Sequence, residues 1–372
     1  MVLSEFLVAK APTLVTGPAT VFGVQDSPRV VTIGHAIVDV LASCDDVLLE
    51  QLGLDKATMS LVEPERAAHI RSQVEVTKMA SGGSAANTAV GLAALGVPTS
   101  FVGRVADDEL GAFFAADLKA GGVSFADQRS EQRSERNDAP VGGHPDQVEA
   151  GHPGSPATGI SIVMVTPDAE RTMCTSLGAG GELAASDVDP LQVSQADVVY
   201  IEGYLCGKVV TDTAVAAAIK AASTSSTLVA LSASDPFWVS LHRDDMRELL
   251  DSVQLLFANE EEALVLSGKP DTHSALRELS AVCPTVVVTL GAQGCVVAED
   301  GKTLRVGAPK VDRVVDTTGA GDSFAAGYLY GVVNRLGARR SAETGGLMAS
   351  KVITRFGARA EASDLIGISG PC

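Results

Sequence analysis

Asp316-Thr317-Thr318-Gly319-Ala320-Gly321-Asp322-Ser323-Phe324 gathers small residues, hydroxyls and two carboxylates into nine consecutive positions. Directly after it, Ala325, Ala326, Gly327, Tyr328, Leu329 and Val332 recur with helical spacing, which puts the glycines where a loop becomes a helix. The first N–H groups of a helix have no partner inside it, and residues without a Cβ let an anion come close to them. Gly319, Ala320 and Gly321 therefore make a candidate anion hole. Asp322 stands beside it as a candidate general base, placed to accept a proton from an attacking hydroxyl. That combination suits phosphoryl transfer. The plainer alternative is that Thr318 or Asp322 caps a helix above an ordinary glycine turn.

The totals narrow the remaining choices. A chain of 372 residues with 46% hydrophobic content can bury a substantial core as one large or two medium domains. Lys and Arg number 28 against 46 Asp and Glu, and a balance of −18 argues against nucleic acid or an anionic membrane as partner. The six cysteines are scattered, with no C-x-x-C spacing, as expected of reduced thiols in a cytoplasm. Glu5, Lys10 and Pro12 do not build a secretory signal, and no apolar stretch is long enough to span a bilayer, so the expected location is cytoplasmic.

Along the chain, residues 1–28, with Pro12, Pro18 and Pro28, read as an extension. Val30–Gly34 reads as a buried strand ending in a glycine turn, followed by an apolar run that reaches a lone carboxylate at Asp39. Such an Asp either meets a ligand or bonds nearby amides. Gly82 and Gly83 open a second helix that carries Asn87, whose side chain offers both a donor and an acceptor, though tight helix packing accounts for a Gly-Gly pair as well. The segment from Phe101 to Val123 is expected to supply structure rather than chemistry, and residues 129–156 read as a flexible polar insert. His144 and His152 lie in that insert without a tight metal-ligand spacing. A hairpin follows, its second strand carrying Arg171, and then strands near 198–203 and 228–231 flank an alanine-rich helix as a βαβ unit.

The Asp316–Phe324 string fits D-T-x-G-A-G-D-x-F throughout, and in this it resembles the C-terminal signature of the ribokinase (PfkB) superfamily of carbohydrate and nucleoside kinases. The resemblance implies an α/β fold: a doubly wound, mostly parallel sheet with helices on both faces and a small β lid. It places the kinase domain at 29–366, lid segments near 37–62 and 158–178, and a tail at 367–372. ATP and Mg2+ are the implied cofactors, with K+ as a further candidate near Asp316 and Thr318. Asp39, Gly82, Gly83 and Asn87 fall on the family's acceptor site, and Arg171 on the lid arginine that reaches the transferred phosphate. An ordinary edge-strand charge is the alternative for Arg171.

Asn259 and Glu262 match an element that orders magnesium through water, although an acid three residues into a helix also serves as a favourable first-turn charge. Thr289, Gly291 and Gly294 match a nucleotide phosphate and ribose turn, and Ala349 and Val352 a helix bordering the base.

The glycine-loop form, the ending Ala349–Gly357 and the pair Met59 and Leu61 resemble the bacterial adenosine-kinase-like branch, in which the latter two would wall the base. Plain lid packing is the alternative for that pair. The expected activity is transfer of the γ-phosphate of ATP to the 5′-hydroxyl of a nucleoside, adenosine first, by a monomer or homodimer. A ribose or fructose kinase is the alternative acceptor class, and a non-catalytic ligand-binding member the alternative outside enzymes. A dinucleotide-dependent oxidoreductase is disfavoured, because Gly34-His35-Ala36-Ile37-Val38-Asp39 stands where G-x-G-x-x-G would be needed.

Overall fold

Short runs rich in valine and leucine, bounded by polar or glycine residues, become the buried strands of this chain. The computed structural model describes residues 30–125, 156–168, 170–207, 213–360 and 364. The extension, the tail and all but the last residue of the 129–156 insert lie outside them. In chain order the first strands are β1 (Val30–Ile33), β2 (Ile37–Ser43), β3 (Met59–Leu61), β4 (Glu75–Gly82), β5 (Thr99–Val102), β6 (Ser124–Phe125) and β7 (Gly159–Val165). The rest are β8 (Arg171–Ser176), β9 (Val198–Ile201), β10 (Leu228–Ser232), β11 (Leu255–Asn259), β12 (Thr285–Thr289), β13 (Cys295–Glu299) and β14 (Lys302–Val306).

Nine strands form the main sheet in the order β14-β13-β12-β11-β10-β9-β1-β5-β6. From β6 to β12 every pairing is parallel, and β13 and β14 close one edge antiparallel. Both faces are covered. Val30, Tyr200, Phe257 and Val287 pack with Leu92, Phe324 and Tyr328 on one side, while Val31, Ile33, Ile201, Leu256 and Val288 pack with Ala218, Leu266 and Leu276 on the other. Strand residues therefore alternate between two apolar layers, the sequence signature of a sheet with no solvated face. The carboxyl ends of β1, β9, β11 and β12 deliver His35, Glu202, Asn259 and Leu290 to a common rim, where ligands of open α/β sheets bind.

A second sheet of five strands, ordered β3-β8-β7-β2-β4, is the small β lid. It is more extensive than the sequence suggested. Ser81 and Gly82, read there as part of a glycine loop, end β4, which pairs antiparallel with β2 from Ile37↔Gly82 to Ser43↔Glu75. The Glu75–Lys78 half of β4 is exposed and carries no apolar alternation, which hid the strand. Among the described residues, no helix is long and apolar enough to cross a membrane, and no group of three or more His, Cys, Asp or Glu could hold a metal ion.

Candidate active site

The helix Ala320–Val333 is buried along most of its length, and its N-cap is Gly319 at φ +73°. A Cβ on Gly319 would lie 2.2 Å from the Ala358 carbonyl oxygen, so glycine is required here by both the left-handed backbone and the crossing chain. Gly319 has no side chain to cap with, and Asp322 does not take over that task. Its Oδ1 accepts from Ser84 Oγ at 2.6 Å and its Oδ2 from Asn87 Nδ2 at 3.0 Å, both on the helix Ser84–Ala94. The carboxylate thus joins the two helix N-termini opened by the two glycine loops. Loss of water around it pushes its pKa up to about 6, against the lowering effect of those two donors, and the charge of Glu202 adds to the rise.

Asp39 lies within β2 and turns its carboxyl against Gly82, where a Cβ would sit 2.4 Å from Oδ2. The close approach that Gly82 permits is thus taken by Asp39. Gly83, at φ +94°, is the N-cap of the Ser84–Ala94 helix. Burial, together with the Asp322 charge and against those of Arg359 and Arg171, raises Asp39 to about 6 as well.

The lid meets the glycine loop through Arg171. Its Nη2 donates to Asp316 Oδ2 and its Nη1 to Thr318 Oγ1, each at 2.7 Å. Asp316 also accepts from Gly357 N at 2.7 Å and from Thr318 N at 3.0 Å. Burial opposes its charge, but these donors and the Arg171 guanidinium outweigh burial and hold its pKa below the usual carboxylate range. In this conformation the charge of Asp316 is matched by the Arg171 guanidinium.

Along the rim, Asn259 and Glu262 form a reciprocal cap on the helix Glu260–Ser267: Asn259 Oδ1 accepts from Glu262 N and Glu262 Oε2 from Asn259 N, both at 2.8 Å. Burial, opposed by the Asn259 amide and aided by the charges of Asp235, Glu261 and Asp322, lifts Glu262 to about 7. Thr289 ends β12, and Gly291 and Gly294 form the turn into β13. Ala349 and Val352 lie on the helix Gly337–Val352, Ala349 half-buried and Val352 fully buried.

Four further residues enter the site that the sequence reading did not single out for it. Ser84 bonds Asp322, and the buried Glu202 accepts from Ala85 N at 2.9 Å, bracing the start of the same helix. Arg359 donates through Nε to Asn87 Oδ1 at 2.9 Å and through Nη1 to Asp117 Oδ2 at 3.1 Å. Asp117, in the segment Phe101–Val123, thus reaches the site by holding Arg359 and Ser81. A carboxylate ending the apolar run Val198–Ile201 was a usable signal for Glu202; a single arginine in Gly-Ala-Arg-Ala was not.

Residues 49–137 and 153–365 match the family described as pfkB family carbohydrate kinase. The chain belongs to this family. Among solved structures, this PfkB kinase is similar to the adenosine kinase from Sinorhizobium meliloti at 38% identity and a TM-score of 0.76, covering 92% of this chain and 98% of that one. It is similar to a probable sugar kinase from Rhizobium etli at 34% identity and the same TM-score of 0.76, with 92% and 97% covered. A curated relative is the adenosine kinase of Schizophyllum commune, 30% identical over 362 residues, 90% of this chain and 97% of that protein. As a PfkB kinase the chain is an ATP-dependent enzyme that phosphorylates a hydroxyl group.

Proposed function

We propose that this kinase phosphorylates the 5′-hydroxyl of a nucleoside, with adenosine as the first candidate. The observation that carries the acceptor class is a row across the lid. Leu61 pairs with Thr175, Thr175 with Ser161, and Ser161 with Asp39, so these four residues share one face of the sheet. The 2.9 Å contact between the Ser161 and Thr175 hydroxyls agrees with that placement. Met59 pairs with Met173, two residues from Arg171 in β8, and so belongs to the same face. Met59 and Leu61 are 42% and 56% exposed, which speaks against plain lid packing as their role.

From Asp39 to Leu61 is three strand spacings, about 14 Å. An acceptor with vicinal hydroxyls at Asp39 and a flat apolar body toward Met59 and Leu61 fits that span better than a free pentose does. The apolar pair would cover one face of the base.

In this reading Asp322 takes the proton of the attacking hydroxyl, and its raised pKa near 6 keeps it basic yet mostly ionised at neutral pH. The amides of Gly319, Ala320 and Gly321 stabilise charge developing on the transferred phosphoryl group. Arg171 reaches from the lid to the same loop, a short movement away from that group. Thr289, Gly291 and Gly294 border the nucleotide, and Asn259 with Glu262 would hold magnesium through water. When bound, that ion neutralises phosphate charge. Its hard oxygen preference suits the Glu262 carboxylate.

The test is a panel of adenosine, guanosine, inosine, ribose and fructose with Mg-ATP, with and without K+, read as ATP consumed and position phosphorylated. Rapid 5′-phosphorylation of adenosine is expected, and Met59→Ser with Leu61→Ser should raise its KM while leaving any turnover of ribose unchanged. Preference for a free sugar, the reading favoured by the Rhizobium relative, would overturn the nucleoside assignment.

A further inference from the structure

Arg359 is a cation brought to the acceptor site from far along the chain. Its Nη1 is held by Ser81 Oγ at 3.0 Å and Asp117 Oδ2 at 3.1 Å, and its Nε donates to Asn87 Oδ1 at 2.9 Å. Its Nη2 is buried with no hydrogen-bond partner among the described residues. Guanidinium can only donate, and an ionised carboxylate can only accept. Asn87 stands between one of each. Its carbonyl must therefore face Arg359 and its amide nitrogen must face Asp322 Oδ2, at 3.0 Å.

We propose that Arg359 is a positioning residue for the transfer: by fixing which way the Asn87 amide stands, it holds the Asn87 donor on Asp322 and so orients the base. The inference rests on the reading of Asp322 as that base. It also refines the part played by Asn87, whose carbonyl oxygen and one N–H are engaged by protein, leaving one N–H and one oxygen lone pair for an acceptor hydroxyl.

The charges around Asp322 make the role measurable. Asp39 on β2, Glu202 beyond β9 and Glu262 on its helix disfavour a negative Asp322, Arg359 opposes them, and the buried Tyr200 on β9 stays neutral. Arg171, which acts on Asp39, stays bound to Asp316. Removing Arg359 withdraws both the opposing charge and the enforced donor, and each loss moves the Asp322 titration to higher pH.

The experiment follows the Asp322 carboxyl carbon by NMR from pH 4 to 8, assigned by its absence in Asp322→Asn, in wild type, Arg359→Gln and Arg359→Lys, without acceptor or ATP. A higher midpoint in Arg359→Gln is expected, with a value near wild type in Arg359→Lys, which keeps the charge; a wild-type midpoint in Arg359→Gln overturns the proposal. In turnover, with whichever acceptor the wild type uses, Arg359→Gln should lose roughly 10²-fold in kcat at unchanged KM for ATP, and Arg359→Lys, which likewise can only donate to Asn87 Oδ1, should recover most of that loss. Wild-type kcat in Arg359→Gln would equally overturn it, and Arg359→Met, which removes the charge and every donor, decides the matter by the same two readings if Arg359→Gln does not fold. The titration needs no acceptor, so a wrong nucleoside assignment leaves it standing.

Discussion

Asp322, the proposed base, is held at a cost in stability. Its folded pKa of about 6 exceeds the ordinary 3.8, so between those values the folded protein holds a proton that the unfolded chain has lost, and stability falls as pH rises. Above pH 6 the full penalty of the buried charge is present. Asp322→Asn removes the charge and keeps the shape, since Ser84 Oγ can rotate from donating to accepting. The expected outcome is a loss of roughly 10²–10⁴-fold in kcat. It should come with a gain on the order of 2 kcal/mol at pH 8 that shrinks toward pH 4. Melting curves at the two pH values check the second part, and a variant no more stable at pH 8 would show the charge to be better solvated than described. The acid limb of the wild-type rate profile should fall near pH 6 and belong to Asp39 and Asp322 jointly, because each raises the other. The place of Asp322 at a helix start, which made it a candidate base, was legible because its neighbours in sequence announce that start. Its partners were not, since Ser84 and Asn87 lie 238 and 235 residues away and no local pattern links them.

Asn259 and Glu262 form an element boundary that the sequence allowed to be read in two ways. Both readings of the pair were open in the sequence: a cap, and a magnesium-ordering group. The cap is formed, and it leaves the second role to be measured. Gln also completes a capping box, whereas Ala cannot. Glu262→Gln should therefore match wild-type stability at pH 6, and Glu262→Ala should lose about 1 kcal/mol. If the carboxylate also orders magnesium, Glu262→Gln should need about tenfold more Mg2+ for half-maximal rate, by analogy with outer-shell partners of other metals. An unchanged requirement would reduce the residue to a cap. The buried strands β1, β9, β11 and β12 were readable because their apolar runs are continuous, while β4 was not, because the side chains of Glu75, Val76, Thr77 and Lys78 face solvent.

The lid sheet touches the glycine loop through Arg171, so this residue ties lid position to the turn at Gly319–Gly321. Arg171→Ala should lower transfer by about 10³-fold, the scale of an arginine that stabilises a transferring phosphoryl group. The fraction of ATP hydrolysed without acceptor should rise, because an open lid admits water. A variant with reduced rate but unaltered coupling would confine Arg171 to charge stabilisation. Topology was recoverable from the order of strands and the glycine signatures. The seam at Arg359 was not, because it joins positions 272 residues apart in sequence. That separation has a consequence for how the protein is made. As the chain leaves the ribosome, Asp39 appears early, Asp322 much later and Arg359 last of the three. Before the arginine emerges, gathering Asp39, Asp322 and Asp117 would crowd carboxylates out of water with only Arg171, itself bound to Asp316, to oppose them. The order of translation therefore disfavours closure of the cleft in a nascent chain until the last of its charges has been delivered.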